Sequence, residues 1–255
     1  MDNVLISFVI LDIKNHYLAP LTIESILNQM EKRYEIIVML KDISPHDFQI
    51  LKEYTGKIYN ITHTKEETKS KIMNEAIKLT RGRYLHFLFP GEIYLSKHSL
   101  SYVTKKIESK NFPDLLCFSF LRRNVLSHPE IVHVSFVLTP FGGERFPIFL
   151  KDCIFSKSVI EELNGFDIRY KGLEGFDMIS KIYKRGKRVL CCRRVIVDFE
   201  LQKISFKILK YVKELFSIIY KNFGIKAIFH WYVIREIFDI FLWWIKGIKS
   251  YFIQE

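Results

Sequence analysis

Short apolar runs alternate with amphipathic segments along the first 92 residues of the chain. Buried strands are predicted where β-branched and aromatic residues follow one another, at residues 4–11, 34–40, 58–62 and 84–89. Helices are predicted between them from apolar side chains at helical spacing, at residues 18–28, 47–54 and 69–81. Such alternation indicates an α/β protein with a Rossmann-like, mostly parallel sheet and helices on both of its faces.

The stretch from Lys69 to Glu92 ends in the first candidate site. Its helix is expected to stop at Gly82, because many helices end with a glycine in the left-handed conformation. A buried strand follows, and a Pro-Gly pair ends it so that Glu92 stands at the carboxyl end of the strand. Ligands of open α/β sheets bind at that end of the strands. The corner at residues 89–92 is therefore the first place to expect chemistry.

Mixed elements are predicted up to residue 200. Further helices are expected at residues 96–109, 155–164 and 172–185. Further strands are expected at residues 115–121, 133–138 and 189–197. The turn-rich segment at residues 139–149 fits a plain surface loop, which is the commoner case, or a flexible loop over a site.

A change of pattern at residue 201 divides the chain into two parts. Residues 1–200 are predicted to form the α/β domain, and residues 201–255 a basic amphipathic tail that contains all three tryptophans. Basic, tryptophan-rich amphipathic helices are typical of the membrane interface, and no apolar run has the length of a membrane span. We therefore expect a peripheral position at the cytoplasmic face of a membrane. The alternatives are that the tail packs on the main domain or on a second subunit of a homo-oligomer.

Charge and cysteine content narrow the choice of partner and compartment. The chain has 39 Lys and Arg against 28 Asp and Glu, and the resulting net charge of +11 favours an anionic partner. Nucleic acid is disfavoured as that partner, because no aromatic-basic RNA motif or helix-turn-helix is recognisable. The 4 cysteines have no metal-ligand spacing, which favours a reduced, cytosolic compartment.

Three segments, taken in order, resemble the family 2 glycosyltransferases, whose fold is called GT-A. The first, at residues 6–29 and 34–40, is similar to the family's opening strand, its helix with Ser-Ile-Leu-x-Gln, and its second strand. The second combines Asn74, Gly82 and the strand RYLHFLFPGE. The third, at residues 151–189, contains Gly-Phe-Asp and then the acidic segment Leu-Glu-Gly-Phe-Asp. This resemblance implies a GT-A fold for the α/β domain.

The resemblance also implies an activity. Family members of this kind are inverting transferases that move a sugar from a nucleotide-diphosphate donor, here to a cell-surface glycan or a lipid-linked acceptor. A divalent cation, Mn²⁺ or Mg²⁺, normally offsets the charge of the departing diphosphate. A carboxylate at a helix start removes the proton of the acceptor hydroxyl group. An acid at the sheet edge commonly holds the uracil or the ribose.

Position by position, the resemblance gives the candidate site residues. Glu174 and Asp177 are expected to be catalytic, with the base among them. The donor is expected to be bound by residues at the nucleoside and diphosphate positions, namely Asp12, Lys41, Asp42, Lys71, Asn74 and Glu92. Glu92 is also the candidate ligand of the divalent cation.

The chain departs from the family at its acidic motifs. Phe89, Pro90 and Gly91 stand where the family has Asp-x-Asp, and Gly175 stands at the usual position of the base. These departures support a second interpretation, in which the protein is a catalytically inactive member of the same fold that assists an active transferase. The two interpretations differ in whether replacement of Glu174 abolishes glycan assembly.

Overall fold

The structure is a computed structural model that describes residues 4–12, 16–124, 127–133, 150–199 and 208–228. The predicted loop at residues 139–149 and the tryptophan-rich part of the tail lie outside the described residues. The same holds for all but the first residue of the strand predicted at residues 133–138.

Strands and helices alternate through the first half of the described chain. The strands are β1 (Ile6–Asp12), β2 (Tyr34–Leu40), β3 (Asn60–His63), β4 (Tyr84–Leu88), β5 (Glu92–Tyr94), β6 (Leu115–Asn124), β7 (Ser127–Val132), β8 (Cys153–Ser156), β9 (Val189–Val195) and β10 (Val197–Phe199). The helices are α1 (Ala19–Leu27), α2 (Pro45–Lys52), α3 (Lys69–Leu79), α4 (Ser99–Ser109), α5 (Lys157–Glu162), α6 (Glu174–Lys184), α7 (Ile208–Phe223) and α8 (Ile225–Ile228). Short 3-10 turns occupy His16–Leu18 and Leu150–Asp152.

One mixed sheet organises the domain. Its strands lie in the order β3-β2-β1-β4-β8-β6-β7, and β9 pairs with β6. The four strands β3, β2, β1 and β4 are parallel to one another, and β9 is parallel to β6. Strand β8 runs antiparallel to both β4 and β6. The expected α/β fold with a central, mostly parallel sheet is confirmed.

Both faces of the sheet are covered by apolar clusters, which explains why the central strands are continuous apolar runs. Successive residues of a strand point to opposite faces. Phe8 and Ile10 of β1 accordingly join one cluster, which also contains Ile23 of α1. Val9 of β1 joins the other, together with Met73 of α3. These two layers fix where each strand ends, and hence where the candidate site lies.

Two strands of the main sheet were not predicted correctly, and the separate two-stranded sheet of β5 and β10 was not predicted either. The helix predicted at residues 155–164 is wrong at its start, because Cys153–Ser156 forms β8 before α5 begins. The apolar run there fills the gap between β4 and β6. The other missed strand, β7, precedes the strand predicted at residues 133–138 and contains Pro129. It lies at the edge of the sheet, where a proline is tolerated.

Gly82 has a different role from the predicted helix cap. Helix α3 ends at Leu79, and its cap residue Thr80 is extended. Gly82 instead lies against β1, where an added Cβ atom would be 2.6 Å from the backbone nitrogen of Ser7. The glycine is therefore required by the close approach of two backbones.

Helix α7 packs on the main domain, in agreement with the alternative interpretation of the first part of the tail. Its apolar side meets the segment before α6 in a cluster of buried residues: Tyr170, Leu173, Phe176, Leu215, Ile218 and Ile219. Within the described part of the chain, no helix is long and apolar enough to cross a membrane.

Candidate functional site

The corner after β4 is fixed by α1. Thr22 donates a hydrogen bond from its hydroxyl group to the Phe89 carbonyl (3.3 Å) and accepts one from the Gly91 N–H (2.9 Å). Gly91 has a φ of 92°, a conformation that favours glycine. Strands β1 and β4 are parallel neighbours, so this corner lies at the same edge of the sheet as Asp12, the last residue of β1.

Glu92 is held at this corner by the backbone. Its Oε2 atom accepts a hydrogen bond from the Phe89 N–H at 2.8 Å. Burial raises the pKa of Glu92 to about 7, while Lys151, the Phe89 N–H and Lys69 oppose that rise and Asp152 adds to it. The carboxyl group therefore holds its proton to a higher pH than an exposed glutamate does, and it lies near two ammonium groups.

Glu174 of α6 contacts Lys69, the lysine that also acts on Glu92. It is the first residue of α6, is 2% exposed, and forms an ion pair with Lys69 Nζ. Burial lowers the pKa of Lys69 to about 8, and the nearby Glu92 carboxylate opposes this change. Lys69 thus lies under the influence of both Glu92 and Glu174. The two acidic segments singled out in the sequence meet at this one lysine.

Lys69 was missed in the sequence analysis, which chose its neighbour Lys71 instead. Lys71 is exposed and pairs with Glu66 at 3.1 Å. Residues two positions apart in an α-helix are separated by a rotation of about 200°, so Lys69 and Lys71 point in different directions. The available signal was the position of Lys69 at the start of α3, directly after an extended segment.

A second lysine that the sequence analysis missed, Lys151, lies close enough to Glu92 to lower its pKa. Lys151 is 4% exposed and donates a hydrogen bond to the carboxylate of Asp152 at 3.0 Å. Burial raises the pKa of Asp152 to about 6, against the effect of Lys151. His86 of β4 donates a hydrogen bond from Nε2 to the Lys151 carbonyl at 2.7 Å, and its Nδ1 atom lies 2.7 Å from Tyr94 Oη. This buried network ties Lys151 to the central strand.

Asp177 faces other lysines than Glu174 does. It is fully buried, and its Oδ2 atom lies 2.6 Å from Lys181 Nζ. Its Oδ1 atom lies 3.9 Å from Lys221 Nζ of α7. At Gly175, where the family has its base, an added Cβ would be 3.1 Å from Leu150 Cδ1, a tight contact that a small shift of this side chain would relieve. Of the two predicted catalytic residues, Glu174 is the one that contacts Lys69, and the catalytic role of both stays a prediction.

The predicted nucleoside contacts lie together at the ends of β1 and β2. Asp12 is buried, with Oδ1 2.7 Å from His16 Nδ1, and no described residue bonds to its Oδ2. Burial raises its pKa to about 6, and His16 opposes the rise. The Lys41 N–H donates to the Asp12 carbonyl at 3.1 Å, and the next residue, Asp42, is exposed with a φ of 53°.

Asn74 is engaged by the backbone of a distant turn. Its Nδ2 atom donates to the Phe166 carbonyl at 2.9 Å, and its Oδ1 atom accepts from the Phe166 N–H at 2.8 Å. A Cβ at the neighbouring Gly165 would lie 2.6 Å from Asn74 Oδ1. The amide thus joins α3 to the segment that leads into α6, and a role in donor binding stays a prediction.

Solved structures with the same architecture identify the fold. One is S. aureus TarS 1-349 in complex with UDP, with a TM-score of 0.64 and 14% sequence identity over 84% of this chain. Another is the mannosyltransferase PcManGT from Pyrobaculum calidifontis in complex with GDP-Man and Mn²⁺, with a TM-score of 0.62 and 14% identity over 85% of this chain. The chain has the GT-A fold.

Sequence relatives of this GT-A chain are distant. No family model matches the sequence. A protein of Rickettsia bellii (strain RML369-C) described as an uncharacterized glycosyltransferase is 28% identical over 134 residues, which is 52% of this chain and 19% of that protein. The chain also spans only 64% of the TarS chain and 63% of the mannosyltransferase chain.

The acidic corner of this GT-A domain does not fit a divalent cation held by the protein alone. Such cations prefer several oxygen ligands, usually carboxylates. The described residues contain no group of three or more His, Cys, Asp or Glu side chains placed to hold a metal ion. Glu92 already accepts a backbone hydrogen bond, and Lys69 and Lys151 supply positive charge beside it.

Proposed function

We propose that this protein is an inverting glycosyltransferase that uses a nucleotide-diphosphate sugar. The observation that carries the proposal is the position of Lys69, which pairs with Glu174 and lies under the influence of Glu92. A diphosphate requires a cation and the acceptor hydroxyl requires a base, and both groups are present at one edge of the sheet. The GT-A neighbours with bound UDP and GDP-Man support the choice of donor class.

In this proposal Lys69 and Glu174 divide the work. The diphosphate of the donor competes with Glu174 for the ammonium group of Lys69. This ammonium group then neutralises the charge that develops on the leaving diphosphate. Glu174, released from the pair, accepts the proton of the acceptor hydroxyl. The hydroxyl oxygen then bonds to the anomeric carbon as the bond to the diphosphate breaks, and the configuration of that carbon inverts.

The nucleoside is proposed to lie at the ends of β1 and β2. Asp12 offers an oxygen atom that no described residue bonds, and Asp42 is exposed two residues after the end of β2, the strand that pairs with β1. Carboxylates accept hydrogen bonds from ribose hydroxyls and from the N–H groups of uracil or guanine. This position leaves the diphosphate directed toward the corner at Glu92.

The acceptor and the cellular location extend the proposal. A lipid-linked or cell-surface glycan acceptor at the cytoplasmic face of a membrane suits a chain with a net charge of +11 and three tryptophans in its tail. Flotation of the whole protein with anionic and with neutral vesicles tests this part. Failure to float with anionic vesicles would contradict it without affecting the transfer reaction.

The transfer reaction is tested by replacement of Glu174. We expect Glu174→Gln to bind the donor more tightly than the wild type does, because the competing carboxylate of the ion pair with Lys69 is gone. We expect it to lose roughly 100-fold or more in kcat, since a base typically contributes that much. Isothermal calorimetry with UDP-, GDP- and TDP-sugars, in EDTA and in Mn²⁺, gives the affinity, and product analysis gives the rate. Lys78→Ala, an exposed change on the same helix as Lys69, is the matched control.

The possible results separate the interpretations. Absence of binding to every nucleotide sugar would overturn the proposal. Binding without transfer to glycan or lipid-linked acceptors, together with unimpaired glycan assembly by Glu174→Gln in cells, would favour the inactive assisting protein. Because two lysines flank the corner, affinity in EDTA is expected to stay within about threefold of that in Mn²⁺.

A further inference from the structure

Helix α7 reaches the start of α6 with one carboxylate. Glu214 accepts hydrogen bonds from the backbone N–H groups of Lys171, Gly172 and Leu173, at 3.1, 3.1 and 3.3 Å. These peptide groups directly precede Glu174, the proposed base. Glu214 is 9% exposed, so its bonds are shielded from competing water. The carboxylate therefore fixes the backbone that carries Glu174.

The rest of α7 keeps Glu214 in place. Leu215, Ile218 and Ile219 are buried against the segment before α6. Farther along the helix, Lys221 Nζ lies 3.0 Å from Asp167 Oδ2 and 3.9 Å from Asp177 Oδ1. Apolar and ionic contacts thus hold α7 on both sides of the first turn of α6.

Glu214 also acts on the partner of Glu174. Burial lowers the pKa of Lys69, and the charges of Glu92 and Glu214 oppose that change. One carboxylate of α7 is therefore close to both members of the ion pair that carries the proposed function.

We propose that Glu214 is a positioning residue that orients Glu174, so that the docked α7 helix is part of the transfer site. This inference rests on the proposed function. Its consequence is that the part of the chain that follows α7 is connected to the site through a rigid helix. A change in the docking of α7 would alter the rate of transfer more than the affinity for the donor.

Kinetics of Glu214 variants test the positioning role. In Glu214→Ala, kcat is expected to fall roughly 100-fold, a loss typical of a misplaced catalytic group, while the donor KM rises by the smaller factor that follows from a lower pKa of Lys69. Glu214→Gln keeps an amide oxygen that accepts one of the backbone N–H bonds, so it should recover part of kcat. Lys213→Ala, an exposed neighbour on the same helix, should behave as the wild type does.

Two further measurements do not require transferase activity. Hydrogen exchange at the amides of residues 171–173 should speed up in Glu214→Ala and not in Lys213→Ala. The pKa of Lys69, followed by NMR of ¹³C-methylated lysines, should fall in both Glu214 variants. If Glu214→Ala does not fold, Glu214→Gln provides the comparison.

Wild-type kcat together with unchanged exchange at residues 171–173 in a folded Glu214→Ala protein would overturn the inference. Absence of transfer by the wild type with any donor would overturn the proposed function instead, and the exchange and titration results would then decide the positioning role alone.

Discussion

At the residue scale, the most informative side chain is Lys69. It lies close to carboxylates from two segments that are far apart in sequence, Glu92 and Glu174. Its lowered pKa means that the positive charge, and with it the attraction for a diphosphate, is set by pH near the physiological range. An ordinary surface lysine would stay charged up to about pH 10.

Donor affinity should therefore depend on pH. Lys69 loses its charge as pH rises through about 8, and Glu92 gains a negative charge as pH rises through about 7. Both changes weaken the binding of an anionic diphosphate, so affinity is expected to be highest below pH 7 and to fall through that range. Calorimetric titration with a nucleotide sugar at several pH values measures it, because the charge of this ligand is constant there.

Variants assign the two steps of this profile. Lys69→Met should remove the step near pH 8, and Glu92→Gln the step near pH 7. Lys78→Ala, at an exposed position of the same helix, should leave both steps in place. An identical profile in Lys69→Met would show that another group controls binding.

Asn74 provides a test of stability. Asn74→Ala removes both hydrogen bonds to Phe166 and should lower the free energy of unfolding by about 2–3 kcal/mol, because the backbone groups are left without partners. Urea denaturation measures the change, and Lys78→Ala, an exposed position on α3, is the control. If stability is unchanged and donor affinity falls instead, the predicted donor contact is supported and the structural role is not.

Single residues also show which parts of the candidate site could be predicted from the sequence and which could not. Glu92 was predicted as a site residue because it stands at the end of a strand, and Glu174 because its segment resembles an acidic motif of the family; both are local properties. Lys69 and Glu214 were missed, since their importance comes from partners 23 or more positions away that only the fold brings near. No local pattern encodes those distances.

At the scale of elements, the close contact between β1 and the segment before β4 is decided by Gly82. Gly82→Ala should destabilise the fold by about 1–3 kcal/mol, because the added methyl group would meet the backbone of β1. Thermal or urea unfolding measures the effect. Gly172→Ala is a suitable control, since its Cβ would lie 3.7 Å from Glu214 Oε2, an ordinary contact. Equal stability of the two variants would contradict this account.

The helices and strands were predicted well where the hydrophobic pattern was clear, and poorly where the segment was too short to show a pattern. Strands β1, β2 and β4 and helix α3 lie close to their predicted positions, because apolar runs and amphipathic spacing are strong signals. Strand β8 has four residues and leads directly into α5, so its apolar run was read as part of the helix.

At the scale of the molecule, the order of the segments predicted the GT-A fold, and the GT-A neighbours confirm it. The sequence could not predict that α7 belongs to the packed body of the domain. Its apolar stripe suits a membrane surface and a protein surface equally well, and only the buried partners Tyr170, Leu173 and Phe176 decide between them for this helix.

The position of β8 also has a consequence for synthesis. This strand lies between β4 and β6 but follows both of them in the sequence. The two strands therefore cannot be joined in one sheet until residue 156 has emerged from the ribosome. Until then the nascent chain carries an unpaired edge on β4, and such edges attract other chains. The growing polypeptide therefore passes through a stage at which the exposed edge of β4 makes it prone to aggregate with other chains.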